Sequence, residues 1–556
     1  MTARRDPASE RQIQAADPAA STWLSANAGS GKTRVLIDRV ARLLLQGVAP
    51  QRILCLTYTK AAATEMQNRL FERLGAWAMK PDENLSDELG KLGVDSALDD
   101  ALLAEARRLF ARAIETPGGL RIQTIHSFCA TLLRRFPLEA GVSPQFTELD
   151  DRAGRLIRDE LLDRMADSVA PQAVADLAQV FTGEDLSGLA ADVARNAAGF
   201  AHPFDPASLG LPEGTTTDSL LAQVFLGDEA ELLSEAAQIL AGGSANDQKA
   251  AEKMAKAAAA DQGLATLPML EAALLYGESK IEGRSYTAKG AAIATQATQP
   301  RLIHLQDRLD ALGLRVEAAR PLRLALRAAE RARVLHDFAA AFLPLYAEAK
   351  TLRGALDFDD LIAHAKALLT DPDVAQWVLY RLDGGIDHIL VDEAQDTSPD
   401  QWRVIELLAQ ELTAGEGARG EAERTVFVVG DPKQSIYSFQ GADVAAFGAM
   451  RQLFMERLAP PGPGLTQLEL EYSFRSSPAV LRLVDLVFAD LGDSDLGQMS
   501  RHIAFQDAMP GRIEVWPPIT ATEKPEDGEW FDPVDMVTEE HHAARIGKQV
   551  AARIAE

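Results

Sequence analysis

Along the start of the chain, hydrophobic positions recur first in strand-like and then in helical patterns. Residues 21–26 are a short strand candidate, and an apolar run typical of a buried strand occupies 53–59. Between them, residues 33–46 have one apolar helical face, and Gly47 suits the C-terminal stop; the face consists of Leu36, Val40, Leu43 and Leu44. Residues 61–78 repeat the helical period. Strands that alternate with helices in this way predict a parallel sheet in an α/β fold.

The pattern changes near residue 130 and stays helical to about residue 345, in a segment rich in Ala, Leu, Arg and Glu. We interpret this segment as an inserted helical domain. Strand-like runs return at 388–393 and 425–431, with a polar loop at 413–423 between them.

The last part of the chain shows three further patterns. A Pro- and Gly-rich segment at 459–464 predicts a stiff linker. The strand-like run that follows at 466–474 predicts the first strand of a second α/β domain. Residues 534–556 have the period of an amphipathic helix.

Composition narrows the class of protein. The 556 residues are 47% hydrophobic and 25% charged, which is ordinary globular composition, and about 150 residues per domain predicts three or four domains. No apolar run reaches the roughly 18 residues that span a membrane, and the first residues lack the apolar core of a secretory signal. Cys55 and Cys129 lie in apolar settings without a CxxC partner, which indicates buried thiols in a reducing compartment. We therefore expect a cytoplasmic protein without a membrane anchor.

The net charge of −26 argues against nucleic acid as a partner if it is taken alone, because phosphate binding requires clustered Lys and Arg. A locally basic groove remains compatible with this charge, since a site depends on its own residues.

The stretch SANAGSGKT at 25–33 is typical of a phosphate-binding loop between a strand and a helix. It departs from GxxxxGK[ST] at one position, where Ala26 replaces the first glycine. Small residues let backbone N–H groups turn toward phosphate oxygens, and the helix N-terminus adds positive potential. We expect Lys32 to contact the β- and γ-phosphates and the Thr33 hydroxyl to bind Mg²⁺. The candidate nucleotide-binding residues of this loop are Ala26, Asn27, Ala28, Gly29, Ser30, Gly31, Lys32, Thr33 and Arg34. The alternative interpretation of the stretch is an ordinary Gly-rich turn between a strand and a helix.

The stretch VDEAQD at 391–396 supplies candidate chemistry for the bound nucleotide. Asp392 ends an apolar strand, where a carboxylate can hold Mg²⁺. Glu393 follows and can accept a proton from an attacking water. The alternative, two carboxylates on a solvated turn, fits poorly with the apolar run before them. Together the two stretches predict a nucleotide hydrolase.

Five more stretches resemble the motifs of superfamily 1 DNA helicases of the UvrD/Rep/RecB type, in the family's order. They are LCLTYTKAAATEM (54–66), QTIHSFC (123–129), LDFDDLI (356–362), GDPKQSIYSFQGAD (430–443) and EYSFRSS (471–477), together with DEAQD. The phosphate loop and the long insertion are most similar to the AddA type, the helicase–nuclease subunit of double-strand break repair.

This resemblance implies an α/β fold with a RecA-like P-loop motor domain, a large inserted helical domain and the start of a second RecA-like domain. The implied boundaries are 1–130 and 346–460 for the two parts of motor domain 1A, 131–345 for the inserted helical domain 1B, and 465–556 for an incomplete motor domain 2A.

The resemblance also implies roles around the nucleotide. Gln12 is similar to a glutamine that pairs with adenine. Gln14 is an alternative, because Gln12 lies one residue closer to the phosphate loop than expected. Phe474 resembles the aromatic residue that stacks on adenine. Arg475 resembles an arginine finger for the γ-phosphate, with a surface salt bridge as the alternative.

Two positions of the stretch at 430–443 carry further implications. Gln434 resembles a sensor of the γ-phosphate between the ATP and DNA sites. Gln440 stands where many relatives have Arg, so we assign it no catalytic role.

Candidate DNA contacts follow from the same motifs. Stacking platforms for single-stranded bases are implied at Tyr58, Tyr437 and Phe439, with burial in the core as the alternative for each. Phosphate contacts are implied at Thr57, Thr59, Lys60 and His126, and a structural role stays open for His126.

A basic stripe in the insertion is a separate candidate. Its spacing of 3, 4 and 4 puts Arg320, Arg323, Arg327 and Arg331 on one helical face. Pro321 suits the first turn of that helix. The face either follows a duplex backbone or is a solvated face paired with acids.

The expected function is that of an ATP- and Mg²⁺-dependent 3′-to-5′ DNA helicase and translocase of the AddA type. The resemblance implies single-stranded and duplex DNA ends as substrates, an AddB-like partner in a heterodimer, and cytoplasmic location with nucleoid association during action. The family's later motor motifs and a carboxylate-rich nuclease domain have no counterpart here, so we expect the N-terminal portion of a longer protein. The alternative is a truncated, non-motor module that binds ATP and DNA.

Overall fold

We describe the fold from a computed structural model. The structure describes residues 6–94, 99–116, 119–281, 283–383, 385–413, 423–438, 441–459, 464–488, 502–522 and 541–556. These residues form two compact units, one from 1–144 together with 361–556 and the other from 145–360.

Six parallel strands form the central sheet of the first unit, in the order β3-β2-β6-β7-β1-β8. Two short parallel pairs, β9 with β10 and β4 with β5, lie outside this sheet. The strands of the described residues are β1 (Ser21–Ala26), β2 (Ile53–Thr57), β3 (Arg121–Thr124), β4 (Thr147–Glu148), β5 (Ala355–Leu356), β6 (His388–Val391), β7 (Thr425–Gly430), β8 (Leu465–Leu470), β9 (Tyr472–Ser473) and β10 (Ile503–Ala504).

Helices connect the strands of the first unit and make up most of the second. They are α1 (Pro7–Ala15), α2 (Lys32–Leu45), α3 (Lys60–Met79), α4 (Asp82–Lys91), α5 (Asp100–Glu115), α6 (Ile125–Arg135), α7 (Asp151–Arg164), α8 (Pro171–Val180), α9 (Leu186–Arg195), α10 (Thr217–Val224), α11 (Glu229–Ala241), α12 (Ala245–Ala259), α13 (Leu267–Leu274), α14 (Gln299–Leu302), α15 (Gln306–Leu352), α16 (Phe358–Thr370), α17 (Ala375–Asp383), α18 (Pro399–Thr413), α19 (Val444–Arg457), α20 (Pro478–Phe488) and α21 (His542–Ala555).

Shorter helical turns complete the description. A π-helical turn spans Met165–Val169. Turns of 3-10 helix span Pro50–Arg52, Ala197–Phe200, Pro206–Leu209, Gly290–Ile293, Ala394–Asp396 and Pro432–Gln434.

The central strands are buried along their whole length, which explains their continuous apolar sequences. Every residue of β2, β6 and β7 is buried. Parallel strands that are covered on both faces carry such runs instead of an alternating pattern. The apolar face predicted on 33–46 belongs to α2 and lies in the core of this unit. The α/β fold class with a parallel sheet is therefore confirmed.

Local chemistry explains where several predicted elements end. The strand predicted at 53–59 ends at Thr57, because Thr59 caps α3 by accepting the Ala62 N–H at 3.1 Å. The strand predicted at 388–393 ends at Val391, because the chain turns at Glu393, whose φ is +49°.

The strand predicted at 466–474 lies in a different place from the one expected. Its first part, up to Leu470, forms β8 in the sheet of the first unit, because the backbone pairs in parallel with β1 from Ser21 to Ala26. Its last part contains the short strand β9, which pairs with β10. A second RecA-like domain within 465–556 stays a prediction. The polar loop at 413–423 and the linker at 459–464 lie mostly outside the described residues, and the predicted C-terminal helix is described from His542.

The second unit is helical, as predicted for the insertion, and spans 145–360 where the sequence suggested 131–345. Its longest helix, α15, has 47 residues and contains Pro321 in its interior, so the prediction that Pro321 lies in a first turn is wrong. The helix begins at Gln306, fifteen positions before Pro321, because apolar residues from Leu309 to Ala319 pack into the core of this unit.

The basic stripe on α15 is largely paired with acids. The Arg323 guanidinium donates to both carboxylate oxygens of Glu271, at 2.6 and 2.9 Å. Arg320 approaches the same Glu271 at 3.4 Å, and Arg331 approaches Glu184 at 3.7 Å. The predicted pairing with acids is therefore confirmed for these three arginines, but Arg323 is buried, so the face is not solvated at that position.

Both cysteines are free and buried, as predicted. Burial raises the pKa of the Cys129 thiol to about 12 and also raises the pKa of the Cys55 thiol, so neither is a reactive thiolate. Within the described ranges, no helix has both the length and the apolar character needed to cross a bilayer.

Candidate active site

The turn between β1 and α2 has the shape that a phosphate loop requires. Its glycines Gly29 and Gly31 have φ of +74° and +88°, in the left-handed region that favours glycine. The Ser30 N–H and Oγ both donate to the Asn27 carbonyl, at 3.2 and 2.7 Å. These bonds hold the turn in a tight curve ahead of the α2 N-terminus, where backbone N–H groups can meet an anion.

One end of this loop is held by residues predicted to bind adenine. Gln12 is buried and donates its Nε2 to the Ser30 carbonyl at 2.9 Å, whereas its rival Gln14 is exposed. The Phe474 N–H donates to the Gly29 carbonyl at 2.8 Å. A narrow recess opens here, lined by Ala8, Arg11, Gln12, Ser30, Leu470, Glu471, Tyr472 and Phe474. The structure thus brings the predicted glutamine and aromatic ring to one recess beside the loop.

Three separate motifs converge on the Lys32 ammonium. Lys32 Nζ donates to Glu393 Oε2 at 3.1 Å and to Gln434 Oε1 at 3.4 Å. The lysine is only 8% exposed. The parallel order β6-β7-β1 explains the convergence, because the carboxyl ends of neighbouring strands meet at one edge of the sheet.

The two carboxylates after β6 have different surroundings. Asp392 is 4% exposed, and burial, followed by the charge of Glu393, raises its pKa to about 7. The Glu393 N–H donates to Asp392 Oδ1 at 3.0 Å. Glu393 itself is partly exposed and has a left-handed backbone, which is uncommon outside glycine and recurs at active sites.

A buried glutamine that we did not single out from the sequence orients Glu393. Gln395 Nε2 donates to Glu393 Oε2 at 2.8 Å and to Asp396 Oδ2 at 3.1 Å. Its Oε1 accepts the Asp431 N–H at 2.9 Å. A Cβ on Gly430 would lie 2.8 Å from that Oε1, so the glycine gives the amide its room. The signal in the sequence was its place inside DEAQD.

The segment after β7 folds onto the phosphate loop. The Asp431 carboxylate accepts hydrogen bonds from the Lys433 N–H at 3.2 Å and from Gln434 Nε2 at 2.6 Å. Lys433 Nζ donates to Asn27 Oδ1 at 2.5 Å. Lys433 also had not been singled out, although it lies in the quoted stretch at 430–443.

The predicted Mg²⁺ ligands supply hard oxygen donors. Thr33 is the second residue of α2 and is partly exposed. The buried Asp392 carboxyl, whose charge burial disfavours, suits a cation partner. The described residues contain no cluster of three or more His, Cys, Asp or Glu suited to a metal.

The remaining loop and finger residues lie at the same edge. Ala26 is buried at the end of β1, Ala28 is exposed, and Arg34 approaches Asp38 at 3.9 Å. Arg475 is exposed, and its Cβ would lie 2.8 Å from a Cβ placed on Gly29, so its backbone packs against the loop. No carboxylate of the described residues lies within 4 Å of its guanidinium.

The predicted stacking tyrosines lie together. The ring centroids of Tyr58 and Tyr437 are 4.6 Å apart with an interplanar angle of 39°, and both side chains are partly exposed. Burial, with smaller effects from Asp396 and Tyr437, raises the pKa of Tyr58 to about 12, so the ring stays neutral. Phe439 and Gln440 lie outside the described residues.

The predicted phosphate contacts differ in exposure. Lys60 is exposed at the first position of α3, beside the cap residue Thr59. His126 is partly exposed, and its Nε2 lies 3.4 Å from Gln401 Nε2. Thr57 is only 3% exposed, so the structure does not present it on a surface.

Comparison with known proteins agrees with this geometry. Residues 8–455, more than half of the chain, match the UvrD/REP helicase N-terminal domain. The chain is also similar to ATP-dependent helicase/nuclease subunits of the AddA type. It is 28% identical over 512 residues to the one from Levilactobacillus brevis, which covers 86% of this chain and 38% of that protein.

Two further relatives with the same description are similar to a comparable degree. Identity is 27% over 520 residues for Enterococcus faecalis and 27% over 513 residues for Exiguobacterium sibiricum. These matches cover 86% of this chain and 38% and 39% of the two relatives. The chain thus spans well under half the length of the curated relatives it matches.

Proposed function

This chain belongs to the UvrD/REP helicase family, and on that premise we propose that it is the ATP-binding motor part of an ATP-dependent 3′-to-5′ DNA helicase of the AddA type. The observation that carries the proposal is the meeting of Lys32, Glu393 and Gln434 at the mouth of the phosphate loop. A lysine, a carboxylate and an amide from three strand ends are the groups that hydrolysis of a γ-phosphate requires.

Nucleotide binding begins with an exchange of partners at Lys32. Phosphate oxygens take the place of Glu393 and Gln434 on its ammonium, while the loop N–H groups and the α2 N-terminus meet the rest of the phosphate chain. Mg²⁺, when bound, neutralises phosphate charge, with Thr33 and Asp392 as its protein ligands. Gln12 and Phe474 hold the adenine in the recess beside the loop.

Hydrolysis then depends on the freed carboxylate. Glu393 accepts the proton of the attacking water, and the amide of Gln395 keeps the carboxylate oriented toward it. Arg475 donates to the phosphoryl oxygens as their charge develops. The left-handed turn at Glu393 directs this side chain from the sheet edge to the nucleotide.

Coupling to DNA follows from the short chain segment between Gln434 and Tyr437. Gln434 responds to the γ-phosphate, and three residues later Tyr437 lies against Tyr58. Aromatic rings stack on any base, which suits a motor without sequence preference. Thr59, Lys60 and His126 lie on the motifs beside these rings and contact the DNA backbone.

The biological setting is proposed from the relatives. Their shared description as ATP-dependent helicase/nuclease subunits supports a role on single-stranded and duplex DNA ends in double-strand break repair. Because those relatives are described as subunits, the same description supports an AddB-like heterodimer partner. We accordingly place the protein in the cytoplasm, on the nucleoid while it acts.

The test is ATP hydrolysis with and without single-stranded DNA. Glu393→Gln keeps the shape of the side chain but accepts no proton, so we expect near-normal ATP binding and hydrolysis slower by about 100-fold or more. Lys32→Ala should lose both binding and hydrolysis. Lys366→Ala, which removes a partly exposed lysine paired with Asp400, serves as the matched control.

Two results speak against the proposal. Hydrolysis by Glu393→Gln at the normal rate removes Glu393 from the reaction. Tight binding of ATP and DNA by a wild-type protein that never hydrolyses ATP favours a non-motor binding module.

A further inference from the structure

We infer that Lys433 is a second ammonium for the terminal phosphate of the nucleotide, positioned on the phosphate loop by Asn27. The inference deepens the proposed function and rests on it. It assigns to one residue the ability to distinguish a nucleoside triphosphate from its diphosphate product.

Sheet topology places Lys433 beside the loop. β7 and β1 are neighbouring parallel strands with Ser25 opposite Gly430, so the residues that follow each strand leave the sheet side by side. Asp431 then caps a 3-10 turn by accepting the Lys433 N–H at 3.2 Å. This turn aims the lysine side chain at the loop.

The acceptor that holds Lys433 is neutral. Its Nζ donates to the amide oxygen Oδ1 of Asn27 at 2.5 Å. No carboxylate of the described residues lies within 4 Å of that Nζ, whereas Lys32 is paired with Glu393. Nearby Asp431 uses its two oxygens on the Lys433 N–H and the Gln434 amide. The ammonium is therefore oriented but not neutralised, which suits an anionic ligand.

The position of Lys433 along the loop selects the terminal phosphate. The adenine end is marked by Gln12 on the Ser30 carbonyl and by Phe474 on the Gly29 carbonyl. Asn27 lies at the opposite end, next to the end of β1. The residue after Lys433 is Gln434, which contacts Lys32 at the reactive end. Lys433 thus faces the γ-phosphate and leaves the α- and β-phosphates to the loop.

The experiment compares two nucleotides on one protein. Displacement of a fluorescent ADP from the full chain, with Mg²⁺ present, gives affinities for ADP and for the non-hydrolysable β,γ-imido analogue of ATP. The variants are Lys433→Met, which keeps the stem, and Lys433→Arg, which keeps the charge. Lys366→Met is the matched surface control, and the melting temperature of each protein is recorded.

We expect Lys433→Met to bind the ATP analogue about tenfold more weakly or worse, because a hydrogen bond to a charged group is lost. ADP affinity should stay within about twofold, since ADP lacks the group that Lys433 contacts. Lys433→Arg should recover most of the loss. Asn27→Ala should also weaken binding of the ATP analogue. The double variant of Lys433→Met and Asn27→Ala should lose less binding free energy than the sum of the two single losses.

Three results overturn the inference. Equal losses for both nucleotides, or a lower melting temperature with both affinities reduced, mean that Lys433 only holds the loop in shape. Unchanged affinity for the analogue means that Lys433 does not reach the phosphate. If the wild-type chain binds neither nucleotide, the proposed function itself fails, and this outcome is distinct from the first two.

Discussion

His388 is buried in the first unit as a neutral imidazole, and acidification should therefore destabilise the sheet that carries the site. It begins β6 and is 2% exposed. Its Nδ1 lies 2.8 Å from Thr425 Oγ1, which also accepts from the Arg39 guanidinium at 2.9 Å. Burial and, secondarily, the positive charge of Arg39 lower the pKa of His388 to about 4.

The direction and size of the effect follow from this shift. An unfolded His binds a proton near pH 6.5, whereas folded His388 binds it near pH 4. Between these values the unfolded chain holds more protons, so stability rises with pH and is lost as the pH falls. From these two pKa values, His388 should lower the free energy of unfolding by about 2 kcal/mol at pH 5 and by about 3 kcal/mol at pH 4 or below.

The assay uses His388→Asn, whose amide can keep the bond to Thr425 without titrating. Urea unfolding at pH 7.5 and pH 5 is followed by tryptophan fluorescence, because all six tryptophans belong to the first unit. Wild type should lose about 2 kcal/mol more than the variant on acidification. NMR of labelled histidine measures the pKa directly. A titration of His388 near pH 6.5, or equal acid losses in both proteins, would refute this reasoning.

Two further predictions concern the DNA contacts and the hydrogen bond by which Gln395 orients Glu393. Tyr58→Ala should weaken single-stranded DNA binding about tenfold or more, whereas Tyr58→Phe should keep the affinity, because only the ring stacks on bases. A lower melting temperature of Tyr58→Ala, with normal DNA affinity in the folded protein, would instead show that Tyr58 is a core residue. Gln395→Leu should cost about 1–3 kcal/mol of stability, because it leaves the buried Asp431 N–H without its acceptor. It should also slow hydrolysis at unchanged ATP affinity, and a normal turnover number would remove Gln395 from the positioning of Glu393.

The parts of the fold that local pattern controls were predictable from the sequence. Continuous apolar runs identified β2, β6 and β7, since strands covered on both faces need them. The family could be predicted because its motifs are short, ordered stretches, and the match over 8–455 confirms it.

Features that depend on contacts between distant segments were not predictable in the same way. The pairing of β8 with β1 is a backbone contact that no side-chain period specifies. The interior position of Pro321 follows from the packing of the turns before it. Gln395 and Lys433 acquire their roles only where β6, β7 and β1 end together.

The most direct test of the nucleotide site is binding of Mg²⁺–ATP to this chain, measured by isothermal titration calorimetry. We expect one nucleotide per chain, with binding lost in Lys32→Ala while the fold is retained. We also expect Glu393→Gln to bind ATP, because phosphate oxygens replace Glu393 on Lys32 when the nucleotide arrives and Glu393 acts only in the hydrolysis that follows. A well-folded wild-type chain that binds no ATP, or a Lys32→Ala chain that binds it normally, would contradict the assignment of this loop as the nucleotide site.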